Sequence, residues 1–185
     1  MNSNLQVISG AYHGRKLFLP DGARPTQNRA RAAVFNMLAG ILTPGDEIFA
    51  WDAFGGSGAM GIETLSRYDN SRVIFTDTSD KSIKSIQKNT TGIAANRICI
   101  TKTDATKVIK NHVNTVNLIF VDPPYEDANV GISFVATLGR LAVPGTIVVQ
   151  EIENTNQYTP DGNKWDILRD KVYGRARFII LRKKK

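Results

Sequence analysis

Cysteine and histidine are nearly absent from this chain: one cysteine and two histidines among 185 residues. A single Cys99 excludes an intramolecular disulfide and fits a reducing compartment; lying in the apolar run Ile98-Cys99-Ile100, it is expected to be a buried structural thiol. His13 and His112 stand at no recognised ligand spacing to each other or to Cys99, so no metal site is expected. No stretch approaches the roughly 20 apolar residues needed to cross a bilayer. The first residues also lack an apolar core of signal-peptide length, and the expectation is a cytoplasmic protein. There is no internal repeat and no low-complexity block, and the polar segment 154–163 reads as a loop. Acidic residues are outnumbered 17 to 24 by Lys and Arg, giving a formal charge of +7. Such a surplus favours an anionic partner through attraction to phosphates.

What the chain does have is a regular alternation of short β-rich runs and amphipathic stretches. Strands are expected at 48–54, 73–77, 98–101, 118–121 and 146–150, with helices at 59–67, 79–88, 105–111 and 130–141. That alternation predicts an α/β fold with a parallel sheet and helices on both faces. Two further strands are expected at 165–172 and 177–181. With 42% hydrophobic residues and this length, one core is expected, so residues 1–185 are read as a single domain. Within it, residues 1–45 are read as a front section and 46–185 as the main sheet.

Ligands in such folds bind beyond the carboxyl ends of the strands, and four acids fall there. In Trp51-Asp52-Ala53-Phe54-Gly55-Gly56-Ser57-Gly58-Ala59, a strand runs into a glycine-rich turn and then a helix whose N–H groups point at the crevice. Gly56 to Gly61 satisfies the dinucleotide fingerprint literally. Asp52, however, would oppose a pyrophosphate and favour an ammonium or sulfonium. Asp77, ending the run Arg72-Val73-Ile74-Phe75-Thr76, is placed to accept both hydroxyls of a ribose. Asp104, before Ala105, is either an adenine-amine acceptor or a helix N-cap.

The fourth acid opens Asp122-Pro123-Pro124-Tyr125, which follows the strand Leu118-Ile119-Phe120-Val121. Consecutive prolines fix φ and donate no N–H, leaving rigid acceptors around them. An exocyclic amine can give both hydrogens to such a site, and Tyr125 offers a ring for base stacking. An ordinary Pro-Pro turn is the alternative for the tetrapeptide taken alone.

The series Asp52 through Glu63, Asp77, Asp104 and Asp122 through Tyr125 resembles class I methyltransferases that use S-adenosylmethionine. More closely, the chain resembles the bacterial family that methylates the N2 amine of a guanine in 16S ribosomal RNA. The likeness spans nearly the whole chain. Ile8-Ser9-Gly10, Gly14-Arg15-Lys16-Leu17, Arg24-Pro25-Thr26 and Arg29 resemble that family's opening hairpin and first helix, which Val34 to Leu38 continue. Ser66-Arg67-Tyr68 and Tyr173-Gly174 fit as well. Departures occur at Gln27, Asn28 and Ala32 in the first helix, at Gly56 where alanine is common, and at Thr78-Ser79 after Asp77. The resemblance implies a class I, Rossmann-like sheet of seven strands, mostly parallel with an antiparallel edge, preceded by an N-terminal hairpin and helix. It implies S-adenosylmethionine held by Asp52, Phe54, Gly55, Gly56, Ser57, Gly58, Asp77, Asp104 and Ala105. Its implied partner is 16S ribosomal RNA within the small subunit or an assembly intermediate, with Asp122, Pro123, Pro124 and Tyr125 carrying the transfer.

In the front section, Gln6-Val7-Ile8 and Lys16-Leu17-Phe18-Leu19 read as a hairpin with a loose turn. Residues 26–41 carry Ala30, Val34, Met37, Leu38 and Ile41 at helical spacing behind Thr26 as a cap. This face packs inward and leaves Arg29 and Arg31 elsewhere, so Arg15, Lys16, Arg24, Arg29 and Arg31 are expected to face RNA. The terminal run Arg182 to Lys185 reads as a solvated tail. A DNA adenine-N6 methyltransferase, a nicotinamide oxidoreductase and a non-catalytic RNA-binding module are the rival readings.

Overall fold

A computed structural model describes residues 5–21, 28–43 and 45–185. Arg24 and Thr26, expected as an RNA contact and a helix cap, lie outside the described residues. In chain order the elements are α1 (Asn28–Leu38), β1 (Ile48–Asp52), α2 (Ala59–Arg67), β2 (Ser71–Asp77), α3 (Asp80–Asn89), β3 (Ile98–Lys102), α4 (Ala105–His112), β4 (Leu118–Val121), α5 (Ala128–Leu141), β5 (Ile147–Glu153), β6 (Trp165–Tyr173) and β7 (Ala176–Lys183).

The seven strands form one sheet in the order β3-β2-β1-β4-β5-β7-β6. The first five are parallel, and β7 runs antiparallel to both β5 and β6. The antiparallel strand is therefore one place in from the edge, which β6 occupies. Strand order reverses between β1 and β4, which pair through Ala50↔Leu118, Trp51↔Ile119 and Asp52↔Phe120. That reversal opens the crevice in which an open α/β sheet binds ligand.

Side-chain alternation along the strands divides the core into two layers. On one face Ile48, Ala50, Phe75, Phe120 and Val149 pack with Val34, Phe35 and Leu38 of α1, Ile62 and Leu65 of α2, and Ile86 of α3. On the other, Trp51, Ile119, Val121 and Val148 pack with Ile109 of α4 and Phe134, Val135 and Leu138 of α5. The central strand β4 is buried along its whole length, as a four-residue apolar run in mid-sheet should be. No helix among the described residues is long and apolar enough to cross a membrane.

The front section is tied into this core. Leu5, Val7 and Leu17 belong to the first layer. The hairpin is a minimal ladder: a single antiparallel bridge between Gln6 and Lys16, with Val7 N donating to Arg15 O at 2.9 Å and Leu17 N to Leu5 O at 2.9 Å. Its turn docks on the end of α2, where Ala11 N donates to Ser66 O at 2.8 Å and Ser66 Oγ to Ser9 O at 2.6 Å.

Three expectations are corrected. Arg182 and Lys183, expected in a solvated tail, belong to β7 and pair with Asp166 and Trp165 of β6. Cys99 is exposed rather than buried, because β3 ends the strand order beside β2 and has a largely open burial pattern. Arg31 is fully buried rather than RNA-facing. It shares the inward face of α1 with Val34, Phe35 and Leu38, where the Glu63 carboxylate stands 3.6 Å from its Nε. A buried charge needs such a partner.

Candidate active site

The acids expected at strand ends are brought to one edge of the sheet. Asp52 closes β1 and is buried, its Oδ2 accepting the Gly61 N–H of α2 at 3.0 Å. Burial raises its pKa to about 7; the nearby Asp77 charge adds to the shift, and the Gly61 hydrogen bond opposes it. An acid at this strand end gains from a neighbouring cation, so the end of β1 suits an ammonium or sulfonium better than a phosphate.

The loop after Asp52 turns through Gly56 and Gly58 at φ of 54° and 76°, which sets α2 beginning at Ala59. Asp77 grips this loop: Oδ2 accepts Gly56 N at 2.8 Å while Oδ1 accepts Ser79 N at 2.8 Å. A carboxylate has about four acceptor sites, so two remain for a diol. A Cβ at Gly55 would lie 2.9 Å from Ile86 Cδ1 and 3.3 Å from Thr76 O, so the loop is packed against β2 and α3 and a side chain here would displace the end of Ile86. Phe54 is half-buried, edge-on to Phe134 of α5 with 5.4 Å between centroids, and Ser57 is half-buried. Asp104 is the N-cap of α4, accepting Thr106 N at 2.9 Å and Thr106 Oγ1 at 2.7 Å, which is the capping alternative raised from sequence; Ala105 behind it is buried. These residues fit a cationic nucleoside: acid, thin loop and diol acceptor occur in that order around the crevice.

Asp122, half-buried, follows β4 directly, next to the Asp52 strand. Pro123 is buried against α5, where a Cβ at Gly131 would come within 2.8 Å of Pro123 Cγ. Only glycine lets the helix approach the tetrapeptide that closely. Pro124 is exposed, and Tyr125 starts a 3₁₀ turn, Tyr125–Asp127. The Tyr125 hydroxyl donates to Glu151 Oε1 at 2.7 Å, and the Arg175 guanidinium lies over its ring, 5.2 Å from the centroid. Burial, followed by the Glu151 charge, pushes the phenol far above its ordinary pKa. Burial likewise raises the Glu151 carboxyl, although hydrogen bonds to Tyr125 and Asp122 favour its charged form.

Glu151, Glu63 and Asn89 were not singled out from sequence as site residues. Glu151 stands directly after the strand expected at 146–150, as Asp122 stands after 118–121, and was passed over; in the structure it lies within β5, which runs on to Glu153. Glu63 accepts Ile8 N at 2.8 Å, Ser9 N at 3.1 Å and Arg67 Nε at 2.6 Å, joining the hairpin to α2. Asn89 accepts Phe18 N at 2.7 Å and donates to Phe18 O at 2.9 Å and Ser57 O at 2.8 Å, joining the hairpin to the glycine loop. No local pattern marks it.

Of the expected RNA contacts, Lys16 and Arg29 are exposed. Arg15 is half-buried, its guanidinium donating to Asn89 O and Thr91 O at the end of α3 and lying 4.8 Å from the Tyr12 ring centroid. Phe18 is exposed nearby, with Lys88 Nζ 3.4 Å above its ring. No cluster of metal-ligating side chains occurs among the described residues.

A doubly wound sheet with an antiparallel β7, a glycine loop behind a buried acid and an Asp-Pro-Pro-Tyr turn at the switch point define a class I methyltransferase. The chain belongs to the family described as Conserved hypothetical protein 95, whose model matches residues 5–182. It is 30% identical over 185 residues to Ribosomal RNA small subunit methyltransferase D of Escherichia coli (strain K12), covering 97% of this chain and 90% of that protein. The Haemophilus influenzae protein of the same name is 26% identical over 178 residues, covering 92% and 89%. Among solved structures, the Escherichia coli protein named Putative methyltransferase yhhF superposes with a TM-score of 0.81 at 27% identity, covering 97% of this chain and 98% of that one. An RNA methyltransferase of Salinibacter ruber shares the fold, with a TM-score of 0.63 at 18% identity over 88% and 95% of the two chains.

Proposed function

We propose that this methyltransferase uses S-adenosylmethionine to methylate the exocyclic N2 amine of a guanine in 16S ribosomal RNA, acting in the cytoplasm on the small subunit or an assembly intermediate. The observation that carries the reading is the adjacency of Asp52 and Asp122 at the ends of paired strands, one suited to a cation and the other to an amine. The Escherichia coli relative named for small-subunit ribosomal RNA supports the substrate. The Salinibacter ruber neighbour, solved in complex with S-adenosyl-L-homocysteine, supports the cofactor.

When bound, S-adenosylmethionine supplies a methyl group on a sulfonium. Asp52, Phe54, Gly55, Gly56, Ser57 and Gly58 hold its charged end, Asp77 its ribose, and Asp104 with Ala105 its base. Asp122 and the Pro123 carbonyl would accept the amine hydrogens and aim the nitrogen lone pair at the methyl group; as the C–N bond forms and the C–S bond breaks, leaving the thioether, Asp122 would take the one amine proton released. Holding both reactants in line supplies much of the rate. Tyr125 stacks on a guanine that must be unpaired or flipped out of its helix. Lys16 and Arg29 meet the RNA backbone from the front section, with Arg15 shared between RNA and α3. The reading is tested by offering labelled cofactor and protein to free 16S RNA, small subunits and DNA, then mapping the label by nuclease digestion and mass spectrometry. Label on guanine N2 of small-subunit RNA is expected; label on adenine or DNA would replace this reading with the adenine-N6 one.

A further inference from the structure

Glu151 sits on β5, beside β4, at the same sheet edge as the acids already described, on the face shared by Ile147 and Val149. It is 8% exposed. Burying a carboxylate there is costly unless its oxygens are engaged. Oε1 accepts the Tyr125 hydroxyl at 2.7 Å, and the same carboxyl shares a hydrogen bond with Asp122, which requires one proton held between the two acids. One side chain thus touches the first and last residues of the tetrapeptide. The two prolines between them stiffen the backbone but fix neither side-chain torsion.

The opposite side is held from the turn between β6 and β7. Arg175 stands over the Tyr125 ring and is anchored by Glu153, two residues beyond Glu151 on β5, with Nε 2.5 Å from Glu153 Oε1. The turn is itself fastened to β5, with Asn154 N donating to Arg175 O at 2.8 Å and Asn154 Nδ2 to Gly174 O at 2.8 Å. Tyr125 is therefore held at its hydroxyl by Glu151 and across one ring face by Arg175.

We propose that Glu151 is a positioning residue for methyl transfer: it fixes the Tyr125 ring and the Asp122 carboxyl relative to each other, while Arg175 braces the ring from the edge hairpin. The proposal rests on the reading of Asp122 and Tyr125 as the amine-holding site. Glu151 touches these two groups rather than the reacting atoms. Losing it loosens the target base by a fraction of an ångström to an ångström, a displacement that can cost on the order of 100-fold in rate.

The test is steady-state transfer from labelled cofactor to small-subunit RNA, with calorimetry of cofactor binding as the check on folding. Glu151→Ala is expected to lower kcat roughly 10- to 100-fold with cofactor affinity unchanged. Glu151→Gln keeps an acceptor for the Tyr125 hydroxyl and should restore most of that loss. Tyr125→Phe keeps the ring and removes only the hydroxyl, so it probes the same bond in a variant that leaves packing intact. It should lower kcat several-fold, and in its background Glu151→Ala should cost less than in the wild type. Wild-type kcat, within twofold, in Glu151→Ala or in Tyr125→Phe would overturn the proposal. So would an equal cost of Glu151→Ala with and without the Tyr125 hydroxyl. A wild-type protein inert on every RNA would instead remove the reading of the site itself.

Discussion

Replacing Glu63 with alanine removes the junction between the hairpin, α1 and α2. Its carboxylate is fully buried and accepts Ile8 N at 2.8 Å, Ser9 N at 3.1 Å and Arg67 Nε at 2.6 Å, with Arg31 Nε at 3.6 Å. Arg31 has no exposed side-chain surface, and its remaining partners are Gln6 O and Asn28 Oδ1. Burial pulls the Arg31 pKa below its ordinary value, and the Glu63 charge works against that pull. Without Glu63 the guanidinium is left charged in the core, which costs about 3–5 kcal/mol. The two amides lie near the surface, where water replaces most of what they lose. The total expected is about 4 kcal/mol, a large part of the roughly 5–15 kcal/mol by which a domain is stable. At this size that lowers Tm by about 8–16 °C. Urea unfolding followed by circular dichroism measures it. The double variant Arg31→Met with Glu63→Leu removes both charges and should recover at least about 2 kcal/mol of the loss, because the expense lies in the orphaned cation rather than in the missing pair. A Glu63→Ala protein within about 1 kcal/mol of wild type, or a double variant no better than the single one, would refute the reasoning.

Two further outcomes follow from the site. With a folded pKa of about 7, above the ordinary value, Asp52 favours the folded state fully below about pH 4. That contribution is lost as pH rises through 7, while a cationic ligand needs the ionised form. S-adenosylmethionine affinity by calorimetry should rise with pH up to about 7 and then flatten; Asp52→Asn should weaken binding, abolish the rise and make the ligand-free protein more stable than wild type at pH 8. Gly131→Ala places a Cβ 2.8 Å from Pro123 Cγ, so the tetrapeptide must shift; kcat should fall about tenfold or more with cofactor binding intact, and unchanged kcat would show that the turn tolerates displacement.

Much of this architecture was legible because strand ends and glycine turns are local signals. Asp52, Asp77, Asp104 and Asp122 were located by one rule, and the structure sets them along one edge of the sheet. The same rule passed over Glu151, directly after the strand expected at 146–150, which in the structure runs on to Glu153. Arg31 was misread because a helical pattern shows that a position faces inward only when the residue is apolar. Its partner Glu63 is 32 positions away, a pairing no local pattern reveals. Cys99 shows the converse: an apolar run marks a strand but not whether that strand lies at the edge. Asn89, which ties Phe18 to Ser57 across α3, belongs to tertiary structure alone.

In the proposed reading the Asp122–Tyr125 turn performs the transfer while the Asp52 loop only binds. Asp122→Ala, assayed with labelled S-adenosylmethionine and small-subunit RNA, separates the two most directly. Loss of transfer to guanine N2 by at least about 100-fold, with cofactor affinity by calorimetry equal to wild type, is the result expected. Normal turnover in that variant would show that Asp122 does not hold the amine.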